Sequence, residues 1–306
     1  MATAKELRRS IQYKAIYVLV RSLIFISHCM SRKSWLWCCG KLGRLTFYLI
    51  PQTRQLTLRH LAMVYSEKSP DEITSLAKNV FVMLGKNAGE ILRATKVKTT
   101  SELNKIMVTH GFENYRAAHA KGKGVIILTC HLGPFDLQVT NMALHGMRPF
   151  IIGTPLKDER LNDLLWQQRN ALGAVAVERG KETFKLIKAL KAGGSLAILI
   201  DQDTKVKSRF VNFLGRPAST PVGAAIFAMK TGARVVPTYV YLGEDGFQHM
   251  HYLPEIETIV TGNEEEDLIG NTQQYSNFIE EQILKHPEQW VWMHERWKTK
   301  PGEEIR

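Results

Sequence analysis

Two residues five positions apart open the chemical reading. In "ILTCHLGPFDLQ" (127–138), His131 stands just past an apolar run and Asp136 follows it. An aspartate on an imidazole fixes its tautomer and stabilises the cation. The other ring nitrogen is then free to take a proton from a hydroxyl. This is the logic of a catalytic triad in which the substrate supplies the hydroxyl. On a continuous helix a residue five along points about 140° away. The pair therefore meets only if the turn between is partly unwound, as Gly133 and Pro134 permit. Spacing alone leaves open a plainer reading, two satisfied polar side chains where a helix starts.

Two more charged residues carry candidate roles. Asp201 and Asp203 end the apolar stretch "SLAILI", where they would position a substrate hydroxyl or a cation, or cap a turn. Two aspartates alone are weak evidence for a metal. His249 and His251 alternate on a strand pattern and share a face, but no Cys or further His stands at ligand spacing. No metal site is expected there.

The elements that position these residues are legible as short β-branched runs between helical patterns. Strand candidates are "GVIILTC", "RPFIIGT", "AVAVE", "SLAILID", "ARVVPTYVYL" and "FQHMHYLP". Helical spacing appears in "FDLQVTNMALHG", "DERLNDLLWQQRNAL", "KETFKLIKALKAG", "PVGAAIFAMKTG" and a segment near the C-terminal end. Alternation of this kind predicts an α/β fold, a largely parallel central sheet flanked by helices. Ligands in such sheets sit beyond the carboxyl ends of the strands. His131, Asp201 and Asp203 all fall at such ends.

The first fifty residues read differently. "AIYVLVRSLIFISHCM" (15–30) follows a basic stretch, and Lys14, Arg21 and His28 recur every seven residues as one polar stripe. No small-residue cleavage site follows, and Arg21 interrupts the apolar run. A helix lying in a membrane interface fits this pattern, as does the core helix of a soluble domain. The aromatic-rich "WLWCCGKLGRLTFYLI" (35–50) favours the membrane, so residues 1–50 are read as a membrane-associated helical segment and 51–306 as a catalytic domain. Ser69 with Glu72 and Pro70 predicts a capped helix start just after this boundary.

The 306 residues carry 41 Lys and Arg against 29 Asp and Glu, a net charge of +12. The excess favours acidic partners without choosing among nucleic acid, anionic membranes and acidic proteins. No nucleic-acid recognition motif appears. Cys29, Cys38, Cys39 and Cys130 match neither a zinc pattern nor a disulfide framework. Lys181, Lys185, Lys188 and Lys191 share one helix side, with Phe184, Ile187 and Leu190 set opposite. They form either a solvated face or a docking strip for an acidic partner. Trp290, Trp292, Trp297 and Arg296 suit either a membrane boundary or a packed core.

Several ordered blocks carry a family resemblance. His131-x4-Asp136 after a strand resembles the H-x4-D/E motif of the lysophospholipid acyltransferase superfamily. "LAMVYSEKSPDEI", "DQDTKVKSRFVNFLGRPASTPVGAAIFAMKTGARVVPTYV" and "HPEQWVWMHERWKTKP" are similar to successive blocks of the lipid A biosynthesis acyltransferases, lauroyl/myristoyl type. Asp136 stands where many members carry glutamate, Asn212 replaces the proline of F-V-P-F-F-G, and His60 replaces an asparagine.

The resemblance implies acyl transfer without a cofactor or metal, on the cytoplasmic face of a bacterial inner membrane. The donor would be an acyl carrier protein thioester and the acceptor a hydroxyl of an anionic glycolipid. His131 would be general base and Asp136 its orienting partner. Arg169, in "WQQRNALGA", matches an arginine position of the family and would contact a phosphate or the oxyanion, or else lie on the surface; with Asp201 and Asp203 it would bind substrate, and backbone amides near Gly133 or a nearby Arg would meet the oxyanion. Two other readings stand beside it. A phospholipid-type acyltransferase would share the dyad, but its glycine-threonine-arginine block is not evident. A non-catalytic anionic-lipid binder fits the charge. A serine hydrolase fits less well, since no G-x-S-x-G is present.

Overall fold

The computed structural model describes residues 4–170, 173–178 and 182–305. Four helices come first: α1 (Ala4–Cys29), α2 (Arg32–Leu49), α3 (Pro51–Val64) and α4 (Pro70–Ala94). The α4 start is the expected capping box, with Ser69 and Glu72 bonding reciprocally and Pro70 at the first helical position.

The sheet follows. Its strands are β1 (Met107–His110), β2 (Val125–Thr129), β3 (Phe150–Gly153), β4 (Val175–Glu178) and β5 (Ser195–Leu199), with β8 (Arg234–Leu242) and β9 (Gln248–Tyr252). A separate antiparallel hairpin is made by β6 (Ser208–Phe213) and β7 (Arg216–Pro221). Among the described residues the main sheet has seven strands in the order β1-β9-β8-β2-β5-β3-β4. Every neighbouring pair is parallel except β8 with β9. The α/β fold with a largely parallel sheet is therefore as expected. Strand β1 and the β6–β7 hairpin had no counterpart in the sequence reading. Four residues are too few to show a period, and the hairpin's Asn212 and Pro217 obscure its alternation.

Central strand β2 is buried along its whole length. Alternate residues serve two cores, as a period of two dictates. Ile126 and Leu128 join Leu196 and Ile198 on one face, under α9 (Thr183–Lys191), α10 (Gly223–Thr231) and α11 (Glu264–Lys285). Ile127, Ile151, Ala197 and Val236 face the other way, toward α6 (Phe112–Ala120) and α7 (Leu137–Leu144). Burying each large aliphatic side chain contributes roughly 1.5–3 kcal/mol.

The N-terminal fifty residues divide physically. Helix α1 has only 6% of its apolar stretch, Arg8–Cys29, buried, and it is long and apolar enough to cross a membrane. Helix α2 is sealed against α4. A Cβ at Gly43 would collide with the Phe81 carbonyl oxygen, and one at Gly85 with that of Cys39. Trp35 Nε1 donates to the Gly89 carbonyl at 2.8 Å. Glu90, fully buried, receives Arg32 Nη2 at 2.6 Å and Gln248 Nε2 at 3.0 Å, while Arg32 Nη1 donates to the Gly246 carbonyl. A buried charge needs such partners, and this network ties α2 and α4 to the turn after β8.

Candidate active site

Strand register builds the site. β2 and β5 pair with a constant offset, Val125 opposite Ser195 through Thr129 opposite Leu199. Two residues past the last pair, the same offset sets His131 beside Asp201. His131 Nδ1 lies 2.8 Å from Asp201 Oδ1, and the His131 backbone N–H donates to Asp201 Oδ2 at 2.8 Å. Trp290 Nε1 donates to the same Oδ2, also at 2.8 Å. Burial alone would raise the Asp201 carboxyl. The electrostatic attraction of His131 and these three hydrogen bonds overcome it and hold the carboxyl down to about 2. An ionised Asp201 accepts the Nδ1 proton, so Nε2 carries the lone pair. Neighbouring Cys130 is fully buried and its thiol is pushed well up by that burial, which makes it core filler.

The chain after His131 is held rigidly. Leu132 bridges Trp290, and the Gly133 N–H donates to the Gln289 carbonyl at 3.0 Å. Gly133 has φ +58°, and a Cβ there would strike the Val240 carbonyl oxygen, so glycine alone fits. Its amide, one of the expected oxyanion donors, is thus already engaged. Gln138 bridges Thr129 Oγ1 and Thr238 Oγ1, tying the start of α7 to β2 and β8.

The partner of His131 differs from the expected one. Asp136 stands at the start of α7, makes no side-chain capping bond there, and pairs with Arg169 near the end of α8 (Glu159–Asn170). Arg169 Nε and Nη2 both reach Asp136 Oδ1, at 3.1 and 2.8 Å. The Gly133–Pro134 turn does unwind the backbone, but it directs Asp136 to the guanidinium and leaves the imidazole to Asp201. Both members of the pair line the same cavity as His131. Nη1 of Arg169 is not used in the pair.

Asp203 does not line that cavity. It is 2% exposed and fastens the tail. Its carboxylate accepts Thr299 N–H and Oγ1–H, both at 2.9 Å, and its carbonyl accepts Lys298 Nζ at 3.0 Å. The reading of Asp203 as a substrate contact is corrected accordingly. Trp290, Trp292 and Arg296 are fully buried, so they belong to the core and not to a membrane boundary. Arg296 stacks its guanidinium 4.5 Å from the Phe213 ring centroid and donates to Ser219 O and Thr220 Oγ1.

The cavity measures about 560 Å³, within the usual range for small-molecule sites. Its origin is a split in the sheet. β3 and β5 pair only at Phe150–Leu196 and Ile151–Ala197. Beyond that point Ile152, Gly153, Ile198 and Leu199 line the opening. Met142, Leu186 and Phe227 continue an apolar wall, while Asp136, Arg169, Glu178, Glu182 and Lys207 supply charge beside His131. On α9, Lys185, Lys188 and Lys191 are exposed; Lys181 lies outside the described residues. Leu186 and Leu190 form the buried side, and Phe184 is 90% exposed, contrary to its expected place opposite the lysines.

The chain matches the family model for bacterial lipid A biosynthesis acyltransferases over residues 2–299. It is similar to the lipid A biosynthesis lauroyltransferase of Escherichia coli K12, 25% identical over 273 residues, 86% of this chain and 84% of the relative. The palmitoleoyltransferase of the same organism is 22% identical over 265 residues, 85% of this chain and 84% of the relative. A phosphatidylinositol mannoside acyltransferase of Mycobacterium tuberculosis is 24% identical over 203 residues, 65% of this chain. That match spans 62% of the mycobacterial protein, less than two thirds of its length. Because the family match takes in both the N-terminal helices and the sheet that carries His131 and Asp201, the chain belongs to the bacterial lipid A biosynthesis acyltransferase family.

Proposed function

We propose that this protein is a membrane-associated O-acyltransferase. It moves a fatty acyl chain from an acyl carrier protein thioester to a hydroxyl of a lipid A precursor or related anionic glycolipid. The observation that carries the reading is the His131–Asp201 pair beside a largely apolar cavity of about 560 Å³. His131 Nε2 takes the acceptor's proton as its oxygen attacks the thioester carbonyl. The tetrahedral intermediate then expels the thiolate, which takes the proton back from the imidazolium. Asp201 fixes the tautomer and stabilises that cation. Arg169, held by Asp136, offers Nη1 to the oxyanion or to an acceptor phosphate.

The apolar split between β3 and β5 suits the hydrocarbon chain. Ile11, Val18, Leu19 and Phe25 of α1 are exposed, as are Trp37, Leu42, Leu45 and Leu49 of α2. An apolar face of this kind supports membrane association, at the cytoplasmic side of the inner membrane where carrier-bound acyl groups are made available. The exposed Lys185, Lys188 and Lys191 support docking of an acidic carrier.

The test is acyl transfer in mixed micelles from acyl carrier protein and from coenzyme A thioesters. The acceptor is a phosphorylated, partially acylated disaccharide lipid. Transfer is expected from the carrier-bound donor and absent in a His131→Ala protein that still binds vesicles. Vesicle binding without turnover in the wild type would support a non-catalytic lipid binder and overturn the proposal.

A further inference from the structure

The β1 edge of the sheet carries a second cluster of titratable side chains, none of which lines the cavity. β1 runs parallel to β9 with His110 opposite His251 and Val108 opposite His249. Side chains two apart share a face, so His249 and His251 stand together and His110, distant in sequence, joins them there. The His110 and His251 rings stack at 4.4 Å. The sequence showed only His249 and His251, because the third member comes from a strand too short to recognise.

Two details single this cluster out. His249 Nε2 lies 3.1 Å from Asp245 Oδ2, and a carboxylate there takes the Nε2 proton. His249 Nδ1 is therefore a lone-pair donor, and it now accepts from His110 Nε2 at 2.9 Å. The arrangement reproduces the carboxylate–histidine pairing that orients metal-binding imidazoles. In addition, His251 Nε2 is buried and has no hydrogen-bond partner. Such an orphaned group in a folded protein calls for an explanation. One nitrogen from each of the three rings lies within 4.8 Å of the other two.

We propose that His110, His249 and His251 bind a divalent transition-metal ion of the zinc class, with solvent completing the coordination shell. Three imidazoles without thiolates select nitrogen-seeking ions over calcium or magnesium. Zinc–nitrogen bonds of about 2.0–2.1 Å in a tetrahedral shell place the ligand nitrogens about 3.4 Å apart. From their present positions within 4.8 Å of one another the nitrogens close to that spacing, and the stacked His110 and His251 rings turn out of parallel to face one ion. The ion takes the lone pair now used by the His110–His249 hydrogen bond, with the His110 proton moving to Nδ1. It also gives the orphaned nitrogen of His251 a partner. The bound ion staples edge strand β1 to β9, remote from the acyl-transfer chemistry.

The experiment uses untagged, full-length protein in detergent, stripped with a chelator and titrated with Co²⁺ and then Zn²⁺. One equivalent of Co²⁺ should bind, showing tetrahedral d–d bands that Zn²⁺ abolishes, and Zn²⁺ should raise the unfolding midpoint. His110→Gln and His251→Gln should each weaken binding at least tenfold, and Asp245→Asn by about 10–100-fold. His131→Gln should bind as wild type does. X-ray absorption on the zinc-loaded wild type, which needs no variant to fold, should count three imidazoles and no sulfur. Absence of saturable uptake, sulfur ligation, fewer than three imidazoles, or unchanged binding in His251→Gln would overturn the proposal.

Discussion

His131 and Asp201, seventy positions apart, are joined twice, ring to carboxylate and backbone to carboxylate, each at 2.8 Å. The double attachment fixes both the imidazole's rotation and its place at the end of β2. A base held this way pays little reorganisation when the acceptor hydroxyl arrives.

Trp290 is the third donor to this carboxylate, so Trp290→Phe tests how the brace is tuned. Losing the indole N–H should move the Asp201 carboxyl upward from about 2. The folded value lies below the ordinary 3.8, so its stabilisation is complete above that value and is lost as pH falls through about 2. In the variant the stabilisation should be smaller and its loss should be complete at a higher pH. Acid unfolding followed by circular dichroism checks it, and an unchanged acid transition would remove Trp290 from the account.

Asp136 and Arg169 should behave as a unit. Arg169→Gln is expected to lower kcat on the order of 10²-fold, the usual cost of a lost oxyanion donor. Arg169→Lys should not rescue it, because a lysine lacks the planar fork. Asp136→Asn should cost less, and the double variant no more than Arg169→Gln alone. Additive losses in a double-mutant cycle would mean that the two side chains act separately.

Ala197 stands at the last β3–β5 pair, where the sheet opens. Ala197→Phe should fill part of the cavity and shift donor preference toward shorter acyl chains. The longest accepted donor should lose more than tenfold in kcat/KM while a short one is spared. Competition between mixed-length carrier thioesters, read by mass spectrometry of the product, measures this.

Gly43→Ala should destabilise the protein by roughly 1–3 kcal/mol, since α2 and α4 approach too closely for a methyl group. Thermal unfolding in detergent reads the loss. Activity per folded molecule should stay near wild type, because neither residue reaches the cavity.

The sequence made the position of the site legible more readily than its pairings. His131 and Asp201 could both be placed at carboxyl ends because each ends an apolar run. That they face each other depends on β2 and β5 being neighbours in register, a tertiary fact with no local signature. Asp136 is the natural partner by nearness in sequence, yet at the start of α7 its carboxylate meets Arg169. The tryptophans and Arg296 near the C-terminal end read equally as surface or core until the β6–β7 hairpin covered them. Strand β1 escaped notice, and His110 with it.

The most direct test of the central claim is the turnover of Asp201→Asn. Steady-state transfer from carrier thioester to the disaccharide lipid should fall about 10²–10⁴-fold in kcat, with KM little changed, because the imidazole loses the carboxylate that sets its tautomer. Wild-type turnover in Asp201→Asn, with activity lost instead in Asp136→Asn, would contradict it.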